Sequence, residues 1–125
     1  MNKKILIIDD EIDLLKTFKT VLEKNNYDVI TAEDGREGLE KAKRENPDLV
    51  ITDIIMPEKD GAQVIFELNK ELPNIKVIVM TAGEYGDAQN YLKSIIAHSH
   101  VKYGFEKPFD MDEMLQKIKE VLCSE

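Results

Sequence analysis

Short apolar runs alternate with amphipathic segments along almost the whole of this 125-residue chain, and this alternation limits the possible folds most strongly. Residues 5–8 (Ile-Leu-Ile-Ile) form a continuous apolar run, which is typical of a strand buried on both faces of a parallel sheet. Residues 11–25 follow with apolar positions at helical spacing. The same pair of patterns occurs five times, which predicts an α/β fold with a parallel sheet between helices.

The elements can be placed from these patterns and from the four prolines, which lie between the periodic segments. Strands are predicted at residues 5–8, 27–31, 49–52, 75–80 and 101–105. Helices are predicted at residues 11–25, 34–44, 62–72, 84–98 and 109–122. The length fits one domain, for which we expect residues 1–125.

The composition restricts the partners and the compartment. The chain has 25 acidic and 17 basic residues, a net charge of −8, which argues against nucleic acid or an anionic membrane as its main partner. Its single cysteine, Cys123, cannot form an intramolecular disulfide. The apolar run near the N-terminus is too short for a signal peptide or a membrane span. We therefore expect a cytoplasmic protein.

Polar side chains stand where four of the five predicted strands end. The residues are Asp9 and Asp10 after the first strand, Asp53 after the third, Thr81 after the fourth and Lys107 shortly after the fifth. Parallel strands present their carboxyl ends at one edge of a sheet, where such folds bind ligands. We therefore expect these five side chains to converge.

Three adjacent carboxylates remain ionised only if a cation offsets their repulsion, and oxygen ligands suit Mg²⁺. An Asp carboxylate can act as a phosphoryl nucleophile, and a lysine and a hydroxyl group can bind the phosphoryl oxygens. Each residue alone is more often a helix cap, a turn residue or a helix entry. Their occurrence at successive strand ends favours a phosphoryl-transfer site.

Four segments of the chain resemble those of response-regulator receiver domains. They are Asp9-Asp10-Glu11, residues 53–61 (Asp-Ile-Ile-Met-Pro-Glu-Lys-Asp-Gly), Met80-Thr81-Ala82 and Lys107-Pro108-Phe109. The resemblance covers essentially the whole chain. It implies a flavodoxin-like, doubly wound sheet of five parallel strands in the order 2-1-3-4-5, with five helices.

The resemblance also implies roles for single residues. Asp53 would accept a phosphoryl group from a phosphohistidine of a sensor histidine kinase or a histidine phosphotransfer protein. Mg²⁺ would be held by Asp10, by Asp9 partly through water, by Asp53 and by the backbone carbonyl of Ile55. Thr81 and Lys107 would bind the phosphoryl oxygens.

As implied by the same resemblance, the protein would be a single-domain response regulator. It would contact a downstream protein through residues 84–98, 101–105 and 109–122, as a monomer or as a weak dimer on phosphorylation. It would catalyse only its own phosphorylation and dephosphorylation, so it would not otherwise be an enzyme.

Two alternatives belong to other functional classes. A Mg²⁺-dependent phosphatase with an Asp nucleophile normally carries a second Asp two residues later, but Ile55 occupies that position here. A receiver-like binding module without phosphorylation would not need the complete set of five polar side chains.

One departure from the family pattern concerns an aromatic residue. Receivers usually carry an aromatic residue three positions before the lysine, and this chain has Gly104 there. Tyr103 and Phe105 flank the glycine, but strand alternation predicts that both side chains lie on the opposite face of the sheet.

Overall fold

Strands and helices alternate through residues 2–54, 61–82 and 101–123, which are the residues described by this computed structural model. The strands are β1 (Lys4–Ile8), β2 (Asp28–Ala32), β3 (Leu49–Asp53), β4 (Lys76–Ala82) and β5 (Val101–Lys107). The helices are α1 (Ile12–Lys24), α2 (Gly35–Glu45), α3 (Gly61–Glu71) and α4 (Met111–Cys123). The helix predicted over residues 84–98 lies outside the described residues.

The five strands form one parallel sheet in the order β2-β1-β3-β4-β5. This confirms the α/β class and the strand order that the resemblance implied. Strand β2 pairs with one edge of β1, and β3 pairs with the other edge of β1. The order therefore reverses at β1 and β3, which is where open sheets of this kind bind ligands.

Strand alternation divides the core into two layers. Ile5 and Ile7 face a cluster built with α1 and α4, which contains Phe18, Met114 and Ile118. The intervening residues of β1 face a second cluster, built with α2 and α3. Helices therefore cover both faces, and in the described part of the chain none is long and apolar enough to cross a bilayer.

Two strands extend two residues further than the sequence patterns predict, and this affects the polar edge of the sheet. The pattern ended the fourth strand at residue 80 and the fifth at residue 105, but β4 and β5 remain paired as far as Ala82 and Lys107. Parallel hydrogen bonding overrides the loss of apolar character in these last residues. Lys107 consequently stands on the sheet and not in a loop.

The neighbours of Gly104 lie as strand alternation predicts. Phe105 pairs in register with Met80, and both belong to the cluster covered by α1 and α4. Gly104 pairs with Val79, which belongs to the opposite cluster. The Tyr103 ring lies 5.0 Å from the Phe105 ring between centroids, so both rings lie on the face opposite to Gly104.

Helix α2 approaches β1 closely at Gly38, and this contact is testable. A Cβ atom at Gly38 would lie 2.7 Å from Cγ1 of Ile8 and would also overlap its Cδ1. We expect Gly38→Ala to lower the free energy of unfolding by about 1–2 kcal/mol, because overlap outweighs the gain in helix propensity. Denaturant unfolding measures this change.

Two further variants serve as controls for this prediction. Glu40→Ala, at an exposed position of the same helix, should change stability by less than about 0.5 kcal/mol. Ile8→Val removes Cδ1, so Gly38→Ala should cost less in that background than in the natural sequence. An equal cost in both backgrounds would contradict the proposed overlap.

Candidate functional site

The backbone fixes the predicted acidic residues at the carboxyl ends of β1 and β3. The Asp9 N–H donates to the Ala32 carbonyl at 3.1 Å, which continues the hydrogen bonding between β1 and β2 by one residue. The Ile54 N–H donates to the Met80 carbonyl at 2.9 Å, which continues the bonding between β3 and β4 just beyond Asp53. Both acidic residues are thus attached to the rigid sheet.

Asp9, Asp10 and Asp53 form the predicted carboxylate cluster. One carboxylate oxygen from each lies within 4.8 Å of the others. Asp9 has no exposed surface and Asp53 is also buried, whereas Asp10 is exposed to solvent. A cation from solvent could therefore reach the cluster on the side of Asp10.

Lys107 brings a positive charge into this cluster, as the sequence predicted. Its Nζ donates to Asp9 Oδ2 at 2.8 Å and to Asp53 Oδ2 at 2.9 Å. Because β4 lies between β5 and β3, the two backbones are about 10 Å apart. The four-carbon stem of lysine covers this distance and buries most of its length, so the side chain is only 14% exposed.

A third carboxylate, that of Glu11, also contacts Lys107. Glu11 Oε1 accepts a hydrogen bond from Nζ at 2.9 Å, and the Glu11 N–H donates to Asp9 Oδ1 at 2.8 Å. The sequence places Glu11 in the acidic motif but predicts no role for its side chain. The sequence shows the charge of Glu11 and its position directly after two cluster residues, which indicates that it lies near the cluster. Its contact with Lys107 could not be predicted, because that contact depends on the strand order.

Burial and the charges in the cluster together shift the pKa values of Lys107 and Asp9. Burial lowers the pKa of Lys107, but its hydrogen bonds to Asp9, Glu11 and Asp53 outweigh burial and the net shift is upward. The ammonium is therefore charged throughout the physiological range. Burial raises the pKa of Asp9 above its ordinary value of 3.8, and the Asp53 charge adds to this, although Lys107 and the Glu11 N–H oppose it.

The donor set fits a hard divalent cation. It consists of carboxylate oxygens, one of them exposed, and such ligands suit Mg²⁺, which usually retains several waters. The ammonium of Lys107 offsets part of the repulsion within the cluster. A cation bound beside Asp10 would offset the remainder, so these residues can hold Mg²⁺.

Of the two remaining predicted site residues, Thr81 lies at the same edge of the sheet and Ile55 is not among the described residues. Thr81 is buried on β4, one position beyond Met80, which is the register partner of Asp53. It therefore lies at the same edge of the sheet, on the strand next to that of Asp53. Ile55, the predicted source of a carbonyl ligand, lies outside the described residues.

Comparison with known proteins places the chain among receivers. The family model for the response regulator receiver domain matches residues 5–119. The chain is 35% identical over 122 residues to the Sporulation initiation phosphotransferase F of Bacillus subtilis (strain 168), covering 98% of this chain and 95% of that protein. It is 34% identical to the Alkaline phosphatase synthesis transcriptional regulatory protein PhoP of the same organism, covering 98% of this chain. The chain spans only 49% of the length of PhoP.

Solved structures agree with this placement. A CheY-like response regulator receiver domain protein from Methanospirillum hungatei JF-1 superposes with a TM-score of 0.87 at 33% identity, covering 98% of this chain and 94% of that chain. The response regulator protein TrrA from Thermotoga maritima, solved in complex with Mg²⁺-BeF, has a TM-score of 0.81 at 35% identity. That match covers 95% of this chain and 98% of that chain.

Removal of the lysine should destabilise the metal-free protein. Lys107→Met leaves Asp9 and Asp53 buried without their shared cation, so we expect the free energy of unfolding to fall by about 2 kcal/mol. Mg²⁺ should restore most of the loss, because it offsets the same repulsion. Denaturant unfolding in chelator and in Mg²⁺ measures both effects.

The matched control is Lys117→Met, which removes an equal charge from a surface pair with Glu120. We expect a smaller loss of stability than for Lys107→Met, and one that does not depend on Mg²⁺. If Lys107→Met were as stable as the natural protein in chelator, the buried repulsion would not be significant.

The raised pKa of Asp9 predicts that Mg²⁺ binding weakens on acidification. Protons compete with the cation for this carboxylate at a higher pH than for an ordinary Asp. In the metal-free protein, acidification has the opposite effect on stability. Protonated Asp9 favours the folded state, so this contribution to the free energy of unfolding is lost as the pH rises through the pKa of Asp9. Calorimetric Mg²⁺ titrations at neutral pH and at successively more acidic pH should show the falling affinity.

The control for this pH dependence is Asp9→Asn. It should bind Mg²⁺ more weakly but with a flatter dependence on pH, because the titrating carboxyl is absent. An equally steep dependence in this variant would assign the proton competition to another group.

Proposed function

The chain belongs to the response regulator receiver domain family, and from this premise we propose that it is a phosphorylation-controlled signalling protein with Asp53 as the phosphoryl acceptor. The observation that carries the proposal is the position of Lys107 Nζ, 2.9 Å from Asp53 Oδ2, within the carboxylate cluster. A carboxylate at an open edge of the sheet can attack a phosphoryl group. The ammonium held beside it can offset the negative charge that develops on the phosphoryl oxygens.

The proposed reaction is transfer from a phosphohistidine. An Asp53 carboxylate oxygen forms a bond to phosphorus while the bond between phosphorus and the imidazole nitrogen breaks, and the imidazole leaves with the electron pair. Lys107 and Thr81 bind the phosphoryl oxygens, and Lys107 exchanges part of its present contact with Asp53 for them. Asp9, Asp10, Asp53 and the Ile55 carbonyl would hold Mg²⁺. When bound, the ion would supply positive charge for the phosphoryl oxygens.

We propose a sensor histidine kinase or a histidine phosphotransfer protein as the donor. The relative named as a phosphotransferase, which matches this chain over 95% of its own length, supports a place in a phosphorelay. We further propose that residues 1–125 act as one cytoplasmic receiver domain, as a monomer or as a weak dimer on phosphorylation. It would contact a downstream protein through β5, α4 and residues 84–98.

The proposed activity is restricted to the phosphorylation and dephosphorylation of Asp53. The phosphatase alternative would need a general acid two residues after the nucleophile, and Ile55 has no titratable side chain. No feature of the described residues favours that alternative over signalling.

Mass spectrometry of the intact protein tests the proposal. After incubation with Mg²⁺ and phosphoramidate, whose P–N bond resembles that of phosphohistidine, the natural protein should gain the mass of one phosphoryl group. Asp53→Ala should gain none, because the nucleophile is absent. A chelator should suppress the gain in the natural protein.

Asp28→Ala is the matched control, because Asp28 is an exposed residue of the edge strand β2 outside the cluster. This variant should be phosphorylated like the natural protein. A phosphoryl group on Asp53→Ala, or none on the natural protein, would refute Asp53 as the acceptor.

A further inference from the structure

Lys107 divides its ammonium among three carboxylates. An ammonium has three N–H donors, and the three acceptors are Asp9 Oδ2 at 2.8 Å, Asp53 Oδ2 at 2.9 Å and Glu11 Oε1 at 2.9 Å. All three donors are therefore in use before a phosphoryl group arrives. Lysine must release at least one carboxylate when it binds a phosphoryl oxygen.

The three acceptors differ in what else they can bind. Asp9 and Asp53 belong to the carboxylate cluster that fits Mg²⁺, and both are buried. The Glu11 side chain is 60% exposed and is not part of that cluster. A cation bound to the cluster would compete with Lys107 for the two aspartates but would leave its contact with Glu11 available.

The Glu11 side chain does not cap helix α1. Glu11 stands at the N-cap of α1, yet its side chain makes no capping hydrogen bond. Its backbone N–H instead donates to Asp9, which fixes the residue beside the cluster. The positive end of the α1 dipole favours a carboxylate there, and Glu11 Oε1 accepts a hydrogen bond from Lys107 Nζ.

We propose that Glu11 is a positioning residue for Lys107. It retains the ammonium at the rim of the site when a cation occupies the aspartates, so that Lys107 reaches the phosphoryl oxygens from a fixed location. The inference rests on the proposed phosphorylation of Asp53 and adds to it a residue that contacts neither the metal nor the phosphoryl group.

Phosphorylation kinetics with phosphoramidate at saturating Mg²⁺ provide the first test. Glu11→Gln should lower the maximal rate about threefold, the size expected for the loss of one partly exposed ion pair. Asp13→Asn is the matched control, because it removes one exposed carboxylate from the same helix that forms no ion pair among the described residues. This control should react at the natural rate.

A double-mutant cycle separates positioning from a general effect of charge. If Glu11 acts through Lys107, Glu11→Gln should cause no additional loss in a Lys107→Met background. An equal loss in both backgrounds, or a loss no larger than that of Asp13→Asn, would overturn the inference.

A spectroscopic measurement tests the inference without phosphoryl transfer. The Cε resonance of Lys107 can be identified by its absence from Lys107→Met. With Mg²⁺ bound and no donor present, Glu11→Gln should move this resonance toward the position of exposed lysines, and Asp13→Asn should not. An unchanged resonance in Glu11→Gln would also overturn the inference.

The two proposals can fail separately. A natural protein that takes no phosphoryl group on Asp53 would refute the proposed function, and the Lys107 resonance would still decide whether Glu11 positions the ammonium. A natural protein that is phosphorylated, with Glu11→Gln unchanged in rate and in the Lys107 resonance, would refute only the role of Glu11.

Discussion

Electrostatic repulsion between buried carboxylates is the constraint on which the rest of this structure depends. Asp9 and Asp53 lie out of water beside Asp10, an arrangement that is unfavourable without a positive charge. In the protein itself, Lys107 supplies that charge by direct contacts of 2.8 and 2.9 Å. The strand order, the extension of β5 and the length of the lysine side chain all serve to bring this one ammonium to the cluster.

The hydrogen-bonded sheet holds these carboxylates close together at the carboxyl ends of β1 and β3. The acidic residues follow strands that are buried on both faces, and interstrand hydrogen bonds continue to Asp9 and Ile54. A site held in this way cannot relax by moving the carboxylates apart. It can lower its energy only by binding a cation or a proton, or by rearranging Lys107.

Much of this arrangement follows from the sequence, because its signals are local. The run at residues 5–8 predicts a buried strand by its own composition, and Asp34 caps α2 by accepting the Glu37 N–H at 2.8 Å. The convergence of Asp9, Asp53 and Lys107 follows from the general geometry of parallel sheets, and the strand order came from the family resemblance. Two details of the site that depend on the completed sheet could not be predicted. The contact between Glu11 and Lys107 depends on the completed sheet, and the continuation of β5 to Lys107 depends on its pairing with Ala82.

The network around Lys107 also joins the two ends of the chain. Asp9 and Lys107 are separated by 98 positions in the sequence, so their contact closes a loop that contains most of the domain. The entropic cost of such a closure is met only once the intervening strands have been ordered. Lys107 therefore reaches the carboxylate cluster only when β5 has joined the sheet. A chain without β5 would therefore carry Asp9 and Asp53 without the ammonium that offsets their charges.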